Sequence, residues 1–209
     1  GQPTKSIYQY ELLVDLCRRK DMPEKSFYLA QEFFWHNPAK LPLPVEWVNR
    51  RRVRVKETIE NIFWFSKTPN PKSDNNKTLI AYSPSQEKLF LNGYNKGKRP
   101  SGSIVGDKWN IRHKGAIPPN LLAFANTKGT SKFREILRKK GLKQHPAVFP
   151  EELPEFFINL CTDVNDIVFD PFSGSNTTGF ISEKNKRRWL SFEKLYNFAK
   201  TSRYRFQDE

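Results

Sequence analysis

Residues 7–20 place Ile7, Leu12, Leu13, Leu16 and Cys17 at helical spacing and end in Arg18-Arg19-Lys20, which predicts a helix with a basic end. Residues 27–36 (FYLAQEFFWH) and 59–67 (IENIFWFSK) are β-rich and largely apolar, and each predicts a strand. The first is followed by three prolines within residues 37–44, which read as an extended loop, and Thr68-Pro69-Asn70-Pro71 closes the second. Pattern weakens from residue 72 to 143, where Gly, Ser, Asn and Pro recur between short apolar clusters. Residues 132–141 (KFREILRKKG) then predict a basic amphipathic helix ended by a glycine, and 151–160 a further helix.

The densest pattern runs from Asp166 to Glu193. Ile167-Val168-Phe169 is a short apolar run of the kind found in buried parallel strands, and Pro171 stops it. Phe172-Ser173-Gly174-Ser175-Asn176 is a turn of mostly small residues, residues 177–184 read as a helix, and Trp189-Leu190-Ser191-Phe192 ends in an acid, Glu193. Strand, tight turn, helix, strand and acid suit a nucleoside ligand. Small residues let it approach the backbone, free N–H groups meet its oxygens, and an acid some 20 residues on meets ribose hydroxyls. Gly174 and Gly179 have P-loop spacing, but Phe180-Ile181 stands where that motif needs Lys-Ser/Thr, and G-x-G-x-x-G is absent. An adenosine-type ligand without a phosphate tail fits, S-adenosylmethionine being the common one.

Composition adds a partner. Against 22 Asp and Glu stand 36 Lys and Arg, a formal net charge of +14, so a polyanion is the leading partner and nucleic acid the usual one. Arg50, Arg51, Arg52, Arg54 and Lys56 put five positive charges in seven residues. In an extended segment Arg50, Arg52, Arg54 and Lys56 would share one phosphate-facing side while Val53 and Val55 face the core; a solvated charged face is the plainer alternative. A second cluster, Lys96, Lys98, Arg99, Lys108, Arg112 and Lys114, carries the single acid Asp107, with Trp109 and His113 interleaved. Residues 83–129 read as an inserted DNA-recognition region, the alternative being a disordered basic linker. Cys17 and Cys161 sit in apolar helical patterns, as buried thiols in a reducing cytoplasm would. The start shows no signal region and no stretch approaches the apolar length of a membrane helix, so no membrane role is expected.

The run Asp-Pro-Phe-Ser-Gly-Ser-Asn-Thr-Thr-Gly at 170–179 resembles the cofactor motif of amino-group DNA methyltransferases, which methylate cytosine N4 or adenine N6. His145-Pro146-Ala147-Val148-Phe149-Pro150 resembles the family's other cofactor motif. Phe34-Trp35 with residues 37–42, Glu46-Trp47-Val48-Asn49, residues 52–56, residues 64–68, Arg99-Pro100-Ser101-Gly102 and Ile117-Pro118-Pro119-Asn120 are similar to cytosine-N4 enzymes of restriction–modification systems, in the order of the permuted class.

The resemblance implies an α/β fold, a partial methyltransferase-type (Rossmann-like) sheet with an irregular basic insertion, in bacterial cytoplasm. It divides the chain into 1–82 and 131–209 of the catalytic domain around a target-recognition region, 83–130. It places S-adenosylmethionine among Asp170, Phe172, Gly174, Ser175, Asn176 and Thr177, with Glu193 on the ribose and His145, Pro146, Ala147 and Phe149 on the opposite wall. It puts duplex DNA on Arg50, Arg51, Arg52, Arg54, Lys56, Lys96, Lys98, Arg99, Arg112 and Lys114, and it implies no metal. The family's catalytic Ser/Asp/Asn-Pro-Pro-aromatic motif is absent. The one Pro-Pro, Pro118-Pro119, is flanked by Ile117 and Asn120, which supply neither the acceptor nor the ring. A truncated enzyme, one subunit of a split enzyme and a non-catalytic DNA-binding protein with a relic pocket are the three readings. A sheet missing its catalytic strand is expected to expose an apolar edge.

Overall fold

A computed structural model describes residues 2–19, 21–93, 97–105, 111–126 and 131–207, so that Lys96, Lys108 and Trp109 lie outside the described residues. The elements in chain order are α1 (Tyr8–Cys17), β1 (Tyr28–His36), β2 (Ile59–Ser66), α2 (Pro84–Asn92), β3 (Gly97–Lys98), β4 (Ile104–Val105), β5 (Leu121–Ala123), α3 (Ser131–Lys139), α4 (Glu152–Cys161), β6 (Ile167–Asp170), α5 (Thr177–Lys184), β7 (Arg188–Ser191) and α6 (Tyr196–Ser202). They form two compact units, one from Gly1–Ser73 with Asn120–Glu209 and one from Asp74–Pro119.

In the larger unit β1 pairs antiparallel with β2, from Tyr28 opposite Ser66 to His36 opposite Ile59, and parallel with β5 on its other side. Alternation along β1 turns Phe33 and Trp35 inward, where they join Leu122 of β5 and Leu153 and Leu160 of α4 in the main core. Phe33 meets Phe157 edge to face at 5.1 Å, the offset geometry that ring quadrupoles favour. Of α1, Leu13, Leu16 and Cys17 are half-buried on one side, whereas Ile7 and Leu12, expected on the apolar stripe, are exposed.

β6, α5 and β7 form a parallel strand–helix–strand unit, Ile167 opposite Arg188 and Asp170 opposite Ser191. The elements match the sequence expectation, but the burial does not. Ile167 and Phe169 are each more than half exposed, as are Leu190 and Phe192 beyond them. The pair is a sheet of two strands. α5 covers the side carrying Trp189, whose Nε1 donates to Glu183 at 3.0 Å. Burial of both faces needs a second covering layer, and among the described residues none lies on the other side.

The smaller unit holds α2, opened by Ser83, whose hydroxyl accepts from the Gln86 N–H at 3.2 Å, and the short antiparallel hairpin β3–β4. Arg112 there pairs with Glu87 at 2.8 Å and lies over the rings of Tyr82 and Phe90.

Candidate functional site

A turn between β6 and α5 organises the site. Asp170 Oδ1 accepts from the Phe172 N–H at 3.0 Å, and the Ser173 N–H donates to Phe192 O at 2.9 Å. Gly174 sits at φ +54°, a left-handed conformation that residues with a Cβ adopt at a cost. A Cβ there would stand 3.3 Å from the ring of His145, so the glycine also permits the close approach of residues 145–149. Asn176, likewise left-handed, turns its Oδ1 to the N–H of Gly179 at 3.2 Å and to the hydroxyl of Ser191 at 2.8 Å. A Cβ on Gly179 would lie 2.3 Å from that oxygen. Only glycine leaves room for this latch, which ties the turn to β7.

The turn lines an open cleft of about 720 Å³. Phe172, Ser173, Gly174, Ser175 and Thr177 form one wall and residues 145–149 another, while Trp35, Asn37, Lys40, Leu41, Glu60 and Asn126 complete it. The two stretches named in the sequence for a cofactor therefore face one space. His145 Nδ1 lies 2.7 Å from Ala147 O, and its ring meets that of Phe198 at 4.6 Å, which holds the imidazole against the turn.

Three of the named residues stand elsewhere. Asp170 braces the turn from behind, while Asn176 and Glu193 line a second cleft of about 410 Å³ that shares Ser173 with the first. The expectation of free backbone N–H groups is corrected as well. Those of Phe172, Ser173, Gly174 and Asn176 all donate within the fold, that of Gly174 to Glu193 Oε2 at 2.9 Å. Glu193 also accepts from the Leu195 N–H at 2.8 Å. Its two oxygens keep lone pairs for hydroxyl donors.

Arg205 was not found by sequence reasoning. Its side chain is almost fully buried, donates to Ser175 O at 2.6 Å and to Ser175 Oγ at 3.1 Å, and lies 4.1 Å over the Phe133 ring. Burial pulls the guanidinium down to about 10, opposed by Glu151, 3.5 Å away. Half-buried Glu151 is in turn pushed up by desolvation, with Arg205 holding it back. Nothing separates Arg205 from Arg203 in the sequence; the fold alone selects it. Asn37 and Asn126 were missed as well. Buried Asn37 accepts from the backbone N–H groups of Ala39 at 3.1 Å and Asn126 at 3.4 Å. Asn126 Oδ1 is buried at the cleft without a hydrogen-bond partner among the described residues.

The arginine-rich stretch departs from its sequence reading. Glu46–Arg50 forms a π-helical turn and Arg52 takes φ +54°, so the segment is not extended and its charges do not alternate onto one face. Val53 and Val55, expected toward the core, are 60% and 87% exposed. The turn brings Glu46 to both Arg51 (2.9 Å) and Arg50 (3.5 Å), with Arg51 over the Trp47 ring, contacts that an extended segment would not make. Arg54 pairs with Glu57, which Lys5 also contacts. Arg52 and Lys56 are exposed. In the smaller unit Lys98, Arg99, Arg112 and Lys114 are exposed too, Arg99 beside a cleft with His113, Tyr82 and Phe90.

The sequence profile of the DNA methylase family, the N6/N4 methyltransferases, matches residues 6–203. The chain is similar to the type II methyltransferase M.PvuII of Proteus hauseri, at 42% identity over 211 residues covering 100% of this chain and 61% of that protein. It is also similar to the type II beta methyltransferase M.BslI of Bacillus sp. (strain NEB-606), at 32% over 154 residues covering 71% of this chain and 16% of that one. The solved structure of PvuII DNA methyltransferase (cytosine-N4-specific) superposes with a TM-score of 0.76 at 38% identity, over 100% of this chain and 60% of that chain. That of an M1.HpyAVI–SAM complex gives 0.53 at 20% identity, over 98% and 72%, a likeness of fold alone. The chain thus spans about three fifths of the length of M.PvuII. Its fold is the α/β fold of methyltransferases with a partial sheet, and the chain belongs to the DNA methylase family of N6 and N4 methyltransferases.

Proposed function

We propose that this chain is the cofactor-holding and DNA-holding part of a site-specific DNA methyltransferase that moves a methyl group from S-adenosylmethionine to cytosine N4 in duplex DNA. Catalysis then needs a segment or partner carrying the Ser-Pro-Pro-aromatic motif, which these 209 residues do not contain. The observation that carries the reading is the single cleft between residues 145–149 and 172–177, closed at its base by His145 against Gly174. Kinship to M.PvuII at 42% identity supports the choice of base.

The walls fit the cofactor. The cleft has the size of small-molecule sites, and Asn126 Oδ1, which has no partner among the described residues, is a buried acceptor that an ammonium or amino group would satisfy. Residues 145–149 and 172–177 would hold the methionine part, and Glu193, across Ser173, the ribose hydroxyls. Bound there, the cofactor supplies an electrophilic methyl group on a sulfonium. The chain's own contribution is position: Asn176, Glu193 and Arg205 fix the turn by hydrogen bonds, so the site loses little freedom on binding. Arg50, Arg51, Arg52, Arg54 and Lys56, with Lys98, Arg99, Arg112 and Lys114 of the 74–119 unit, would neutralise phosphates, and that unit lies largely within the proposed recognition region, 83–130.

The test is transfer of labelled methyl groups to duplex DNA, followed by nucleoside analysis. N4-methylcytosine formed only when the motif-bearing part is supplied is the expected product. N6-methyladenine would move the assignment to the other base. DNA binding with no methylation and no cofactor binding would leave a DNA-binding protein with a relic pocket, the reading that the missing motif favours.

A further inference from the structure

α3 carries charge that neither the cofactor cleft nor the arginine-rich stretch uses. Residues 132–143 hold Lys132, Arg134, Arg138, Lys139, Lys140 and Lys143 against a single acid, Glu135. The two sides of the helix differ. Phe133 and Leu137 are only 5% and 1% exposed, and Phe133 lies under the Arg205 guanidinium, so the apolar side is taken up by the turn Arg203–Arg205 that follows α6. Lys132, Glu135, Arg138 and Lys139 fall at spacings of three and four on another side, and all are exposed. Glu135 is committed to Lys139 at 3.1 Å. Lys132, Arg138, Lys140 and Lys143 form no ion pair among the described residues, and Lys140 lies over the Tyr204 ring at 5.1 Å.

Cations at a helix C-terminus can serve the helix itself by facing its carbonyl end. That accounts for Arg138, Lys139 and Lys140. It does not account for Lys132, in the first turn, where the dipole opposes a cation and no acid offsets it, or for Lys143, which lies beyond the helix. The frame that carries these charges is fixed. Gly141, at φ +64°, lets its own N–H donate to Arg138 O at 3.1 Å and the Leu142 N–H donate to Leu137 O at 2.9 Å, the paired closure of a Schellman turn. Lys143 then stands two residues, at most about 7 Å of chain, before His145, where the wall of the cofactor cleft begins.

A basic amphipathic helix can also lie on a membrane or dock in a partner's groove, but both modes need its apolar side free. Here that side is buried, and exposed cations on a rigid frame are what remains. We propose that α3 and Lys143 form a phosphate-contact surface for duplex DNA within the cofactor-holding part of the chain, in addition to the basic residues at 50–56 and 98–114. Such contacts position a duplex beside the cleft without reading its sequence. The choice of duplex DNA as the polyanion rests on the proposed function, and the test separates the two.

Lys132, Arg138 and Lys143 are replaced together by glutamine in the 209-residue chain, and binding to a mixed-sequence duplex is followed by fluorescence anisotropy across a salt series. The slope of log binding constant against log salt should fall by about 2.7, at about 0.9 for each of three contacts, and affinity should drop about tenfold or more. Lys25, Lys184 and Lys186, exposed elsewhere, are exchanged for glutamine as a control that removes the same net charge and should leave the slope nearly unchanged. Where the triple variant melts early, Lys132→Gln alone replaces it and should lower the slope by about 0.9. An unaltered chain that does not bind the duplex, an unchanged slope in the α3 variant, or an equal fall in the control overturns the surface. An unchanged slope with N4-methylcytosine still formed beside the motif-bearing part overturns the surface and keeps the function. A lowered slope with no methylation by the unaltered chain and that part keeps the surface and counts against the function.

Discussion

Gly174 concentrates the site's geometry in one position. Its φ of +54° and the 3.3 Å from a would-be Cβ to the His145 ring make Gly174→Ala costly twice, once in the backbone and once in the wall of the cleft. Folding should lose about 1–2 kcal/mol and S-adenosylmethionine affinity should fall at least about tenfold, read by thermal melts and by titration. Arg205→Ala removes the clamp on Ser175 and leaves Glu151 without its partner, a loss of about 3 kcal/mol. Arg205→Lys keeps the charge without the planar fork and should recover only part of it. Cys161 makes a pH prediction. Desolvation pushes its thiol from 9.0 up to about 11, so the unfolded chain ionises first and stability falls between those two values, with none lost below 9. Alkylation of Cys161 in the folded chain should be slow at pH 8 and accelerate toward pH 11. Of these residues only Gly174 was legible in the sequence, because a glycine inside a small-residue turn has a local conformational meaning. Arg205 and Asn126 act through partners 30 and 89 positions away, Ser175 and Asn37, and no local pattern marks such contacts.

Elements marked by their own period stand where the sequence places them: β1, β2, α3, α4, and the β6–α5–β7 unit, the last without the two-sided burial expected of it. α2 escaped notice although Ser83-Pro84 with Gln86 three residues after the serine is a capping-box signal; its weak apolar pattern hid it. The arginine stretch failed for a different reason. Period-two alternation over residues 50–56 takes no account of Glu46, four and five residues before Arg50 and Arg51, whose ion pairs accompany a turn. This changes the DNA prediction. Arg50, Arg51 and Arg54 must exchange a carboxylate partner for a phosphate, whereas exposed Arg52 and Lys56 lack one among the ion pairs found. Arg52→Ala should lower the slope of log binding constant against log salt by about 0.9, measured by fluorescence anisotropy on duplex DNA, and should do so equally on specific and unrelated sequences.

At the scale of the larger unit the sheets stay open at their edges among the described residues. An apolar edge was expected from the missing catalytic strand; among the described residues β2, β5, β6 and β7 are edge strands, and β2 and β6 line one apolar cleft beside an uncovered parallel face. Long-range strand order was not legible in the sequence, since a strand's neighbours are set by chain topology rather than by local pattern. A chain spanning about three fifths of the length of M.PvuII nevertheless supplies both walls, residues 145–149 and 172–175, of the open cleft. Cofactor binding and catalysis should therefore separate. Under the proposed function the 209 residues alone should bind the cofactor, and methylation should require the motif-bearing part.

Calorimetric titration of the folded 209-residue chain with S-adenosylmethionine tests that most directly. One-to-one binding, weakened about tenfold or more by Gly174→Ala, is the expected result. A folded chain that binds no S-adenosylmethionine, or that binds it equally well with alanine at position 174, would contradict it.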